Sequence, residues 1–344
     1  MDDLYLCRQN REGNMYKNLG SSRRIALLFM LSGIIAASCG SRNNQNQTGD
    51  ASDLRGTISI SGAFALYPVT VRWAEEYRKL HPDVRIDISA GGAGKGLADA
   101  VSGMVDLGMF SRGLNQAEVD RGVWWIAVTK DAVLPVINAK NPLLETLMDR
   151  GMSQAEFKKI YLHNDVKSWN ELLSATGEVS ALHAYTRSDA CGAAQMWAEF
   201  LGTNQEDLNG IGVFGDPGIA DAVKNDPLAI GYNNMVYVYD INSRQKYGGL
   251  EVVPIDLNGD GTISDEEDFY ENLDGVIEAI NDGRYPSPPA RPLYFVAARR
   301  PDDPLVTSFL EWILTSGQQF VGEAGYVQLS QAAIDEQLEK LHDE

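Results

Sequence analysis

Three stretches of this chain combine small residues with the start of an amphipathic run: "SGAFALYP" (61–68), "GGAGKG" (91–96) and "SDACGAA" (188–194). Each follows an apolar or alternating segment. Small residues let a ligand approach the backbone, and the first free N–H groups of a helix point at it along the positive end of the helix dipole. The chemistry on offer is oxyanion binding. One such loop would be only a tight turn; three at comparable positions predict a site with contacts from Ala63, Phe64, Ala65 and Leu66, from Ala93 and Gly94, and from Cys191, Gly192 and Ala193. Arg187 and Asp189 stand at the head of the third loop, and Arg112 follows an apolar stretch ending in Ser111. "GGAGKGL" has neither the spacer and hydroxyl of a P-loop nor the spacing of the dinucleotide fingerprint. Cys191 at a helix start could act as a nucleophile, but it would need a base. His183 and His163 are not spaced to reach it. No enzyme is expected.

A second motif is independent of the first. "DLNGDGTISDEE" (256–267) places Asp256, Asn258 and Asp260 at positions 1, 3 and 5 of a calcium loop, with Gly261 at the turn. Thr262 offers a carbonyl, Ser264 takes position 9 and Glu267 supplies the last carboxylate. "LEVVPI" before it reads as a strand and "EEDFYENLDGVIEAI" after it as an exiting helix, so a lone structural Ca2+ loop is expected near the return crossing between two lobes.

The elements that must position these residues read as β-loop-α-β-loop-α-β. "TISIS" (57–61), "VRIDIS" (84–89) and "MVDLGMFS" (104–111) are strands. The helix after the first loop puts Val69, Trp73, Tyr77 and Leu80 on one face. "VLPVIN" (133–138) reads as a strand leaving the first lobe, "LHAYTR" (182–187) and "RPLYFVAARR" (291–300) as further strands, and the stretch from Pro304 to Gly325 as the last long helix. This grammar predicts an α/β fold with ligands at the carboxyl ends of the strands. Trp124 and Trp125 are expected in a buried strand or at its edge, and Trp197 in the core.

At 344 residues the chain exceeds one ordinary core, and 44% apolar with 22% charged residues is globular composition. The net charge of -19 excludes a nucleic-acid binder but not a small anion, which is held by short-range dipoles. "KNLGSSRRIALLFMLSGIIAASCG" has a basic start, an apolar run too short to span a bilayer and small residues before Cys39. That order predicts a lipoprotein signal over 1–38 with Cys39 acylated, then a polar tether over 39–54. Translation starts at Met1 or Met15. Cys191 is then the only thiol of the exported part.

From about residue 57 to 330 the chain resembles the phosphate-binding periplasmic proteins of ABC importers, with the type-II periplasmic-binding fold. The stretches that carry this are "LYPVTVRWAEEYRKLHPDVRIDISAGGAGKGLADAVSGMVDLGMFSR", "FKKIYLHNDVKSWNEL", "TRSDACGAAQMW", "PLAIGYNNMVYVY" and "RPLYFVAARRP". The resemblance implies two α/β lobes, one from 55–136 with 275–335 and one from 137–274, closing on phosphate. It implies that Arg187 pairs with the anion, that Asp189 supports the loop, that Gly192 donates its N–H, and that Asp106 accepts the proton of a protonated phosphate. It further implies a monomer that delivers phosphate or a related oxyanion to permease subunits from the periplasm or cell surface, touching the membrane only through its anchor. The loops depart from the family: where Ser and Thr are usual stand Ala63, Ala65, Ala93, Cys191 and Ala193. Phosphate held more weakly by backbone N–H groups and Arg187 is one expectation. A larger acidic solute, suggested by Phe64 and Cys191, is another, and a tethered sensor a third.

Overall fold

The computed structural model describes residues 54–343, apart from 164, 175 and 177–179. The segments expected as signal and tether, Cys39 included, lie outside the described residues save for Leu54.

Strand β1 (Gly56–Gly62) buries Ile58 and Ile60 fully, which stabilises it by about 1.5–3 kcal/mol per side chain. It runs through the 63–66 loop into α1 (Tyr67–Leu80). Val69, Trp73 and Tyr77 of α1 are fully buried, and the Trp73 indole N–H donates to the Gly317 carbonyl at 2.9 Å. Leu80, expected on the same stripe, is 60% exposed. It has the right phase, but the last turn projects beyond the core. Strand β2 (Val84–Ala90) pairs parallel to the whole of β1, and α2 (Ala93–Val101) follows. Strand β3 (Leu107–Phe110) pairs parallel to β1 on its other side. It is shorter than the expected 104–111, because Met104, Val105 and Asp106 form a bend before it.

After α3 (Gln116–Asp120), strand β4 spans Trp124–Asn138, so the expected 133–138 strand is the second half of a longer one. Next come α4 (Leu144–Arg150), β5 (Met152–Ser153), α5 (Gln154–Lys158), α6 (Trp169–Leu173), β6 (His183–Arg187), α7 (Gly192–Phe200), β7 (Ile211–Val213), α8 (Gly215–Asn225) and β8 (Ala229–Asn234). The chain continues through β9 (Leu250–Val252), β10 (Ile255–Asp256), α9 (Leu273–Asp282), β11 (Ala290–Ala297), α10 (Pro304–Leu314) and α11 (Gln331–His342). The run expected as one last helix ends at Leu314, where a 3-10 turn (Ser316–Phe320) takes over. Gln318 of that turn donates to the Val128 carbonyl, and α11 packs on β4 through Gln337, which accepts from the Ala127 N–H.

The sheet order is β2-β1-β3-β11-β4-β8-β6-β7, with β9 also on β4. Strand β4 changes partner along its length: Trp124 to Ala132 pair antiparallel with β11, and Val133 to Ile137 with β8. One strand thus carries the sheet from the first lobe into the second. The late strand β11 inserts between β3 and β4, returning the chain to the first lobe. The result is the two-lobed α/β architecture, with helices flanking a mixed sheet; it is less parallel than expected, because β11 and β4 pair antiparallel with their neighbours.

The first lobe's loops are set by close backbone contact. Gly96 of α2 lies against β1 and β3, where an added Cβ would stand 2.5 Å from the Met109 carbonyl oxygen and 2.8 Å from the Gly62 Cα. Both obstacles are backbone and cannot yield. Gly96→Ala is expected to lower the unfolding free energy by more than about 2 kcal/mol in urea titrations, since it overpacks a rigid contact; a loss under 0.5 kcal/mol would show that the contact is slack.

Candidate functional site

Gly62, at φ +132, turns the chain out of β1, and the Gly91 and Gly92 N–H groups donate to its carbonyl at 2.9 and 3.1 Å. The first two loops are therefore fixed to each other. Loop 63–66 is held from above by tyrosines: the Tyr237 hydroxyl donates to the Phe64 carbonyl and the Tyr326 hydroxyl to the Ala65 carbonyl. Across the cleft, the third loop meets the second and the end of β3. The Gly94 N–H donates to the Ala190 carbonyl at 3.2 Å. The Gly192 Cα faces Ser111 so closely that a Cβ would sit 2.1 Å from the Ser111 carbonyl oxygen. Loops 63–66, 92–94, 111–112 and 189–193 thus converge, and only glycine allows the approach.

The expected Arg187–Asp189 pair is present. The Arg187 Nε and one terminal nitrogen donate to the two Asp189 carboxylate oxygens at 2.8 and 2.6 Å. The other terminal nitrogen donates to Asp216 at 2.7 Å, a partner that local spacing could not reveal. The side chain is 1% exposed. Burial alone would lower the Arg187 pKa, but Asp216, with Asp189 and the Cys191 site, raises it above its ordinary value. Phe64 covers the guanidinium, with its ring centroid 5.8 Å away, and packs edge-on against Phe214.

Behind Asp216 the polar chain continues. Asn234 donates to Asp216 and accepts from Arg291. Arg291 also donates from Nε to the Ser111 carbonyl at 3.3 Å, and stands directly opposite Asp131 in the β11–β4 register, 3.5 Å from its Oδ2. Sequence reading missed Asp131, Asp216, Asn234 and Arg291. The available signal was a charge inside an otherwise apolar strand, at Asp131 and Arg291.

Other expectations fare differently. Asp106 precedes the amino end of β3, about 16 Å along the chain from Ser111. It is exposed and accepts from the Ser59 N–H and hydroxyl at 2.7 and 2.6 Å. Strand polarity puts it at the wrong end for a ligand at the carboxyl ends, so it does not belong to the convergent set. Arg112 is held bidentately by Glu118 at 2.9 and 2.7 Å, over the Phe110 ring. It lines a cavity of about 460 Å³ beside the loops, with Gly94, Asn115, Cys191, Gln195 and Gln205. Ala63, Ala65, Leu66, Ala93 and Ala193 are buried and Phe64 half-buried. Cys191 is 6% exposed, caps α7 by accepting from the Ala194 N–H, and has its thiol pushed up to about 12, chiefly by burial. A thiol that stays protonated is a poor nucleophile.

In loop 256–267 the carboxylates are turned to backbone donors. Asp256 accepts from the Gly259 and Gly261 N–H groups, Asp260 from Thr262, and Glu267 from Leu257 and Ser264. No set of three or more His, Cys, Asp or Glu side chains is gathered for a metal among the described residues. The helix expected straight after the loop begins only at Leu273, capped by Asn272. The loop is pinned instead to the second lobe: β10 pairs with β5 and the Ile263 N–H donates to the Asp149 carbonyl.

A sequence profile described as the PBP superfamily domain matches residues 47–316. Among characterised relatives, the phosphate-binding protein PstS of Staphylococcus epidermidis is 23% identical over 318 residues, covering 90% of each chain. PstS of Bacillus subtilis is 27% identical over 63% of this chain and 72% of its own. A solved substrate-binding protein assigned to phosphate ABC transport in Clostridium perfringens, with phosphate bound, superposes with a TM-score of 0.65 at 24% identity, over 80% of this chain and all of its own. At that identity the likeness speaks to the fold.

Asp131 is fully buried, and desolvation, opposed by Arg291 and the Ala132 and Met235 N–H groups and reinforced by Asp216, raises its pKa to about 6. The hydroxyls of Tyr237, Tyr285 and Tyr326 also face it and stay neutral. A raised carboxyl contributes stability below about pH 4 that is lost as pH rises through about 6. Wild type is therefore expected to lose on the order of 3 kcal/mol relative to Asp131→Asn between pH 4 and 7. Urea denaturation of both proteins across that range measures it; a constant difference would mean that Asp131 titrates normally.

Proposed function

The chain belongs to the PBP superfamily, and from that premise we propose that it is the extracytoplasmic solute-binding lipoprotein of an ABC importer for phosphate or a related oxyanion. One observation carries the reading: the helix starts at 63–67, 93 and 192 meet from opposite lobes around Arg187 and Ser111. Backbone N–H groups at such ends favour anions whatever the side chains, so the missing hydroxyls weaken the site without removing its sign. The moving bodies are 55–136 with 275–335, and 137–274. The exchange of β4 partners between Ala132 and Val133 supports a hinge there. The protein is read as a monomer, anchored through Cys39, that meets permease subunits. No helix of the described residues is long and apolar enough to cross a membrane. A larger acidic solute is the second reading, favoured by the 460 Å³ cavity beside Arg112.

Isothermal titration of the ligand-stripped chain with phosphate at pH 7 tests the function. Saturable heat is expected, with Gly192→Ala weakening binding at least about 100-fold, roughly 2.7 kcal/mol, because its methyl blocks lobe closure. The same contact is present without ligand, so the variant is also expected to melt below wild type, and the titration is made at a temperature where it stays folded. No heat at millimolar phosphate would remove the phosphate reading and turn the search to larger acids.

Loop 256–267 is proposed as a structural Ca2+ site, supported by the order of its oxygen donors, which suits a hard cation. Binding would re-aim carboxylates now bonded to backbone. Excess calcium is expected to raise Tm by about 3 °C or more over chelator, and not in Asp260→Asn. Equal melting in calcium and chelator would end the proposal.

A further inference from the structure

Inorganic phosphate is small beside the space that adjoins the loops. The cavity there, about 460 Å³, falls in the range of organic-ligand sites, about 300–1,000 Å³. Gly94 of the second loop and Cys191 of the third line it, so it opens on the convergent helix starts. Its one cationic lining side chain, Arg112, is already held by Glu118 at 2.9 and 2.7 Å. Its two carboxylates, Glu199 and Glu206, are exposed and have no ion-pair partner among the described residues. Glu199 accepts only from the neutral Gln195 amide, at 3.0 Å. Gly192, Gln195 and Glu199 are spaced i, i+3 and i+7 along α7, so they share one face of the helix. Glu199 therefore stands about 10 Å along the axis from the start of α7, with its side chain leaning back toward that start. It lies in the last turn, where the helix dipole also favours positive charge. Glu206 comes from the turn whose Gln205 clamps the third loop, accepting from the Cys191 N–H and donating to the Asp189 carbonyl. A space of organic size thus runs from helix starts that favour an anion to a wall that favours a cation.

We propose that the cleft takes a phosphate monoester whose tail ends in an amine. The phosphoryl oxygens meet the helix starts, and the ammonium meets Glu199 and Glu206. This rests on the reading of the cleft as an oxyanion site and names its substrate class. The span of about 10 Å, less one ion-pair contact, suits a tail of about four carbons. Inorganic phosphate fills only the head position and leaves the cavity to solvent. A neutral tail leaves both carboxylates facing water. An ammonium gains an ion pair at each, and each pair is modest at a solvated wall. The same wall repels an ester with a second anionic group, so the tail is selected by sign.

The test compares aminobutyl phosphate, hydroxybutyl phosphate and butyl phosphate with inorganic phosphate, titrated calorimetrically at pH 7 and low salt. The three esters share one head and nearly one length, so their affinity ratio reads the tail alone. Wild type is expected to bind the amine at least fivefold more tightly than either neutral ester. Glu199→Gln combined with Glu206→Gln should bring that ratio within twofold, while Glu199→Asp keeps part of it. Both positions are exposed, so the variants are expected to fold, and a ratio belongs to folded molecules only. If inorganic phosphate binds and the esters do not, or bind alike within twofold, the cavity holds only solvent and the proposal falls while the cleft reading stands. A full preference kept in the double variant also overturns it. If neither phosphate nor any ester gives heat, both readings fall.

Discussion

The structure turns on one shared counter-ion. Asp216, 1% exposed, gives one oxygen to Arg187 and the other to Asn234, which reaches Arg291. Through it the strand bearing the third loop, the helix after β7, and the crossing of β4 with β11 become one polar network in a dry interior. Buried charge is costly, and an ion pair there is weak evidence of stability gained over an apolar core. Its worth is in position. A guanidinium forked onto two carboxylates has one orientation, and the loop of Asp189 and Gly192 inherits it. The Gly215 N–H, which also donates to Asp189, ties the start of α8 to the same point.

The loops that meet beside this network carry few hydroxyls. Ala63, Ala93 and Ala193 are buried, the loops are fixed by backbone bonds to Gly62, Met109 and Ala190, and the tightest approach is that of Gly192 to Ser111. Backbone bonds hold the loops in place without them. Cys191 keeps one function of a hydroxyl in weaker form: its sulfur caps the helix where an oxygen would bond more tightly. Phe64 closes the opposite side over Arg187, removing water from a charge cluster whose interactions strengthen as solvent leaves.

What could be read from the chain was whatever local pattern encodes. Alternation fixed β1 and β2, the small-residue loops announced α1, α2 and α7, and Arg187 with Asp189 lay two residues apart. The missed partners share one cause, distance along the chain. Asp216 is 29 residues from Arg187, and Arg291 meets a carboxylate that lies 160 residues earlier. No window shows such partners. Asp106 differs in origin: its role came from the resemblance rather than from local pattern, and the bend at 104–106 leaves it before the amino end of β3. The calcium-type loop is legible as a donor order, yet its setting between β10 and a late α9 is a tertiary fact.

On the proposed oxyanion reading, the charge balance of the cleft decides what kind of ligand fits it. Two arginines face three aspartates, so the pocket is not a simple cationic trap, and the chain's net charge of -19 offers no attraction at range. Beyond a Debye length of about 8–10 Å that field is screened, so capture depends on contacts made after entry. In such a site, attraction by net charge would not distinguish one anion from another. Hydrogen-bond complementarity does, because each unpaired buried group left by a wrong ligand carries its full desolvation cost. A site poor in positive charge and rich in directed donors and acceptors therefore trades affinity for discrimination.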